Sequence, residues 1–99
     1  MKIETRFCKR GDLKYISHLD IVRLFQRSVR RARLPVALSQ GFSPHYRISF
    51  GNALKLGVES EDEQAVFKME KWVEPEEFKK KINKKLPKGV QVLECRKKF

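Results

Sequence analysis

Two histidines and a dense set of arginines are the side chains of this sequence best suited to act on a ligand. His18 lies in Ser17-His18-Leu19-Asp20, and His45 closes the run Ser39-Gln40-Gly41-Phe42-Ser43-Pro44-His45. Between them Arg23, Arg27, Arg30 and Arg31 recur at three- and four-residue spacings, and Arg47 follows His45. An imidazole with its ordinary pKa near ~6.5 gives or takes a proton at neutral pH. Two of them among guanidinium groups make the inventory of a metal-independent ribonuclease. One deprotonates a 2′-hydroxyl, the other protonates the leaving oxygen, and the cations stabilise the phosphorane. Arginine also grips phosphate bidentately with no reaction at all. The candidate catalytic pair is therefore His18 and His45. The candidate nucleic-acid contacts are Arg23, Arg27, Arg30, Arg31, Phe42, His45 and Arg47, with Phe42 offering a ring on which a base could stack for ~1–3 kcal/mol.

Each of these residues also has a plainer use. His18 follows a helix-capping serine and falls toward the apolar arc of the helix, where a partly buried ring bonded to a backbone carbonyl would serve. The arginines could be a solvated face, although like charges at these spacings destabilise an isolated helix. Gly41, Phe42 and Pro44 form a rigid turn before anything else. The lysines at 79–81, 84 and 85 read as the wet side of an amphipathic helix and add only nonspecific attraction.

Composition narrows the choice. The chain has 99 residues, 23 Lys+Arg against 12 Asp+Glu, and a formal net charge of +11, an excess that points to a polyanionic partner such as RNA. One domain is expected, with 40% hydrophobic residues to fill a modest core. No run approaches the ~18 apolar residues of a spanning helix, and Met1 to Arg6 lack an apolar signal core, so a cytoplasmic protein without a membrane partner is expected. Cys8 and Cys95 have no metal-ligand spacing and are expected to be small apolar residues in a reducing compartment. Asp20 is better used as a cap and a partner of Arg23 than with the histidines on a metal, so neither metal nor cofactor is expected.

The elements that must position these residues follow from periodicity. Ile3, Thr5 and Phe7 alternate with charged residues as a first strand, and Arg10-Gly11-Asp12 is a turn signal, with Leu13 to Ile16 returning as a short extension. Ser17 with Asp20 three residues on resembles a capping box and opens a helix that Pro35 ends. Its expected core stripe is Ile21, Val22, Phe25, Val29 and Ala32, with the arginines on another face. Tyr46, Ile48 and Phe50 alternate as a second strand. Leu54, Leu56 and Val58 alternate less clearly, and Glu59 to Glu63 reads as an exposed acidic turn. Ala65, Phe67 and Met69 make a third strand. Pro75 followed by Glu76-Glu77 opens a second helix that runs to Pro87. Val90, Val92 and Glu94 alternate with Gln91, Leu93 and Cys95 in the last strand. The order strand, helix, strand, strand, helix, strand is the α+β, ferredoxin-like βαββαβ arrangement: a four-stranded antiparallel sheet with two helices on one face. The open face of such sheets is often an RNA platform, but the aromatic-rich strand motif of RNA-recognition domains is missing, since Gly41-Phe42 is only a fragment broken by Pro44.

The string Ser17-His18-Leu19-Asp20, Arg23, Phe25, Arg27, Arg30-Arg31-Ala32, Leu34-Pro35, then Ser39, Gly41-Phe42-Ser43-Pro44-His45, resembles one bacterial family. Leu56-Gly57-Val58-Glu59-Ser60 and Glu63 fit the same pattern. It is the radical-SAM-linked domain of unknown function, found fused to or encoded beside B12-binding/radical SAM proteins. Tyr46 stands where the family often has a second proline, and the chain reaches Phe99 where members often continue. That length fits the N-terminal half of a longer family domain as well as a short member. No Cys-x-x-x-Cys-x-x-Cys is present to hold an iron–sulfur cluster, so the chain is not itself the radical SAM enzyme. The resemblance implies an accessory role. The leading expectation is a non-enzymatic RNA-binding domain that presents rRNA or tRNA to a radical SAM partner. The alternatives are a metal-independent ribonuclease using His18 and His45, and a protein-interaction module that docks a radical SAM enzyme.

Overall fold

The computed structural model describes residues 1–51 and 56–98. In chain order these form β1 (Lys2–Lys9), a 3-10 turn (Gly11–Tyr15), α1 (His18–Ala32), β2 (Ile48–Phe50), β3 (Ser60–Lys68), α2 (Pro75–Lys85) and β4 (Val90–Lys98). The strands pair antiparallel in the order β2-β3-β1-β4. This is the ferredoxin-like α+β arrangement that the alternation predicts. Leu54, which belongs to the less clear alternation, lies outside the described residues.

Apolar alternation builds the core. Ile3 and Phe7 from β1, Ala65 and Phe67 from β3, and Val90 and Val92 from β4 are buried beneath Phe25 of α1 and Phe78 and Ile82 of α2. Ring centroids of Phe7–Phe25 and of Phe67–Phe78 are both 4.9 Å apart, which is aromatic contact. The buried stripe of α1 is Ile21, Leu24, Phe25, Ser28 and Val29, whereas Val22 and Ala32 are only half-buried. The expected stripe was thus rotated by part of a turn. In the fold α1 packs against α2 as well as covering the sheet.

Helix α1 begins as its sequence predicts: the Ser17 hydroxyl accepts the Asp20 N–H at 3.1 Å. Its end is less ordinary. Arg33 adopts φ 55°, the left-handed region, and its N–H reaches the carbonyls of Arg30 and Val29. The Leu34 N–H also bonds the Val29 carbonyl at 3.2 Å. Glycine normally fills this position, because a β-carbon there costs about 1–2 kcal/mol. Arg33→Gly is therefore expected to stabilise the domain by about 0.5–1 kcal/mol, net of the freedom glycine adds to the unfolded chain. Urea unfolding checks the sign, and a loss of stability would contradict this reading of the cap.

Three sequence expectations need correction. Leu13–Ile16 is not a strand extension; residues 11–15 form the 3-10 turn. The acidic run is not a free turn, because β3 already starts at Ser60. Strand pairing overrides composition there: the Arg6 guanidinium donates to the Glu61 carbonyl at 2.6 Å, and Arg10 pairs with the Glu61 carboxylate. In β4 the alternation breaks between the pairs Phe7↔Val92 and Arg6↔Glu94, leaving Leu93 as the extra residue of a bulge. The bulge turns Glu94 outward and Cys95 toward the core. The Asn83 side-chain amide holds this stretch by donating to the Val92 carbonyl at 2.9 Å and accepting its N–H at 2.8 Å.

Both cysteines are free thiols, Cys8 buried and Cys95 half-buried. Burial pushes the Cys95 thiol up to about 12, so almost none of it is the reactive thiolate near neutral pH. Iodoacetamide at about pH 8 is expected to leave Cys95 unmodified in the folded protein and to modify it in urea. Mass spectrometry distinguishes the two states, and rapid labelling of the native form would contradict the burial.

The topology gives the domain two ends. Strand β1 starts, β4 finishes and α1 terminates at one end, which also carries residues 33–47 and 69–74. The other end carries residues 10–17, the start of β3 and residues 86–89.

Candidate nucleic-acid interface

At 100° per residue Asp20, Arg23, Arg27, Arg30 and Arg31 share an arc of about 100°, and all are exposed. Arg23 pairs with Asp20 at 3.7 Å. Among the described residues no carboxylate pairs with Arg27, Arg30 or Arg31. Arg30 and Arg31 lie in the last turn, where the helix dipole favours cations. Arg27 has no such compensation, and it stands four residues from Arg23 and from Arg31. Each like-charge pair costs about 0.2–0.5 kcal/mol, so this face opposes helix stability. The lysines of α2 differ: Lys79 and Lys81 pair with Glu76 at 4.0 Å and Glu77 at 3.1 Å.

The segment after α1 forms a projecting hairpin. Leu38 bridges Tyr46, and the Ser39 N–H donates to the His45 carbonyl at 2.8 Å. The Ser39 hydroxyl accepts the His45 N–H at 3.2 Å and lies 3.3 Å from the His45 Nδ1. The turn expected at Gly41-Phe42-Ser43-Pro44 is the tip, and Phe42 is fully in solvent, at 109% relative exposure. At the base, Ala37, Arg47 and Lys68 close a ring of backbone bonds of 2.8, 2.8 and 3.0 Å.

Gln26 fixes this hairpin to α1. Its side-chain amide donates to the Tyr46 carbonyl at 2.8 Å and accepts the Tyr46 N–H at 2.7 Å. Because Arg23 and Arg30 lie three residues before and four after Gln26, the hairpin stands beside the arginine ridge. Sequence reasoning passed over Gln26 and Arg33. A lone glutamine on the flank of the core stripe was the only signal for the first. An arginine directly before Leu34-Pro35, where glycine would be usual, was the signal for the second.

The remaining candidates separate from this group. The half-buried His18 ring stacks edge-on against Phe50 at 5.6 Å. His45 adjoins Tyr46, which is bonded to Gln26, eight residues and thus about 12 Å along α1 from His18. The fold does not bring the two imidazoles to one phosphodiester. Ile48 packs on the core opposite Phe67, so strand alternation assigns Arg47 to the open face of the sheet, away from α1.

That open face carries ion pairs: Arg6–Glu94 at 3.1 Å, Arg96–Glu4 at 3.4 Å and Lys98–Glu4 at 3.5 Å. The hydrogen bond to Arg6 holds the Glu94 carboxyl below its usual range. Ser49, Gln64 and Val66 lie on the same face, so among the described residues it offers neither aromatic rings nor a uniform charge. Among the described residues no three His, Cys, Asp or Glu side chains are grouped to hold a metal ion, and no helix is long and apolar enough to cross a membrane. What α1 and the hairpin can offer a ligand is guanidinium groups, which suit phosphates, and an exposed ring, on which a base can stack.

A family model described as "Uncharacterized protein conserved in bacteria (DUF2344)" matches residues 2–98. No curated protein and no solved structure matches.

Proposed function

We propose that the chain, which belongs to this family conserved in bacteria, is a non-enzymatic RNA-binding accessory domain serving a radical SAM partner. The observation that carries the RNA reading is the outer face of α1. Arg27, Arg30 and Arg31 are exposed without a carboxylate partner, at spacings that weaken the helix, beside a hairpin whose Phe42 is fully exposed. A face that costs folding energy and satisfies no internal partner fits an external polyanion. Cleavage is not part of the proposal, because His45 adjoins Tyr46, which is tied to Gln26, about 12 Å along α1 from His18.

The radical SAM partner rests on the resemblance of Ser17 to His45 to the radical-SAM-linked domain. A separate surface suits a protein partner. Tyr15, Leu56 and Val58 are exposed apolar side chains at the end opposite the hairpin, and Tyr15 lies against Gly57. Docking there would leave α1 and the hairpin free for RNA. Crosslinking in cells, with both RNA and protein recovered from this domain, tests the whole proposal. The expected yield is rRNA or tRNA crosslinked through residues 23–45, together with a radical SAM protein. Recovery of neither would overturn the proposal, and recovery of the protein alone would leave only the interaction-module reading.

A further inference from the structure

We infer that the RNA surface continues from α1 around the end of the domain to Trp72, and that its ligand is a single-stranded RNA segment stacked on two rings, Phe42 and Trp72. This rests on the RNA-binding reading above and specifies its ligand. Residues 69–74 are fastened to the same end as the hairpin. Val36 bridges Met69, the Pro35 carbonyl accepts the Glu70 N–H at 2.8 Å, and the Met1 carbonyl accepts the Met69 N–H at 2.9 Å. Val73 packs against the core, so Trp72 stands on an anchored loop and yet remains 57% exposed.

Arg30 and Arg31 of α1, Arg33 at its C-cap, Lys71 of the loop, and Lys97 and Lys98 of β4 gather at this end, which also carries Glu70 and Glu74 of the loop. The Lys97 Nζ lies 6.0 Å from the centre of the Trp72 ring. The acidic residues at 59 and 61–63 lie at the other end, where the Glu59 carboxylate accepts the Gly11 N–H and Glu61 pairs with Arg10. Two exposed aromatic rings at an end that also carries exposed arginines and lysines are elements of single-strand recognition, in which cations follow phosphates and rings take bases. A duplex buries its base faces in its own stack and leaves such rings without a partner.

Trp72 is the only tryptophan of the chain, so intrinsic fluorescence reports from this position alone. The probe is an unstructured RNA of about ten nucleotides, compared with the same strand annealed to its complement. The single strand is expected to quench Trp72. Trp72→Ala should weaken its binding roughly 5- to 100-fold, as read by anisotropy of labelled RNA, and change duplex binding by less than about twofold. Trp72→Phe keeps a ring and should retain most of the affinity, which separates stacking from a folding defect. Unchanged affinity in Trp72→Ala, or equal affinity for strand and duplex, overturns this inference and leaves RNA binding standing. Displacement of the RNA by polyglutamate at equal charge would mark a docking site for an acidic protein and also overturn it. Absence of any RNA binding removes the RNA reading and this inference together.

Discussion

Reversing the charge at two positions of α1, in the variant R27E/R31E, is expected to lower affinity for single-stranded RNA by about 100-fold or more. Both side chains are exposed and pair with no carboxylate among the described residues, so they are available to phosphate oxygens. A hydrogen bond to a charged group contributes about 1.5–3 kcal/mol, and every 1.4 kcal/mol is about tenfold in affinity. Loss of two such contacts, with repulsion added, gives the stated fall. The single variant Arg27→Glu separates binding from stability. It places a carboxylate four residues from Arg23 and Arg31 and three from Arg30, replacing repulsion with attraction. The helix, and with it the domain, should gain about 0.5–1 kcal/mol. A protein that is harder to unfold and binds RNA less well is the expected combination. If Arg27→Glu destabilises the domain, or binds as the wild type does, the arginine face is not what we take it to be.

Gln26→Ala is the second large effect, and it acts through position rather than contact. The Gln26 amide satisfies both the N–H and the carbonyl of Tyr46, at 2.7 and 2.8 Å. Its removal leaves two part-buried backbone groups without partners, at a cost of about 1–3 kcal/mol. For a domain of this size the melting temperature should fall by roughly 5–20 °C. Hydrogen exchange should accelerate over residues 38–46 before it does so in β1 or β3, because the hairpin loses its tie to α1 while the sheet does not. RNA affinity should fall as well, although Gln26 itself touches no phosphate. Unaltered exchange in the hairpin would show that the backbone ring of Ala37, Arg47 and Lys68 holds it alone.

Much of the fold is legible in the sequence because its strands alternate and its helices carry explicit stops. Ser17 opens α1, Pro75 opens α2, and the apolar positions of β1 and β3 face the core as read. What the sequence hides is what depends on neighbours. Leu24 and Ser28 are buried although they fall outside the stripe that the helical wheel of α1 marks as core. The β4 bulge at Leu93 reverses an alternation that is otherwise regular. The acidic start of β3 pairs with β1 in spite of its composition, and Arg6 and Arg10 meet it at Glu61.

The candidate site was read in part for the same reason. Local spacing correctly put Arg23, Arg27, Arg30 and Arg31 on one face, since a helix needs nothing else to define it. A histidine pair beside arginines reads as one site, whereas the structure sets His18 against Phe50 and His45 beside Tyr46. The antiparallel run of α1 against β2 sends them to opposite ends of that strand. Arg47 is only two residues from His45 and yet belongs to the open face of the sheet. Trp72 carries no sequence motif, and only the topology brings it to the end that holds Phe42.

The most direct test is the salt dependence of single-stranded RNA binding by the wild type and R27E/R31E, read by anisotropy from about 50 to 500 mM salt. With about five cationic contacts, log K should fall linearly with log salt with a slope near −3.5, at about 0.7 per phosphate. The variant should bind more weakly with a slope shallower by about 1.4. No binding in low salt, or the same affinity and slope in both proteins, would contradict RNA recognition by the arginine face of α1.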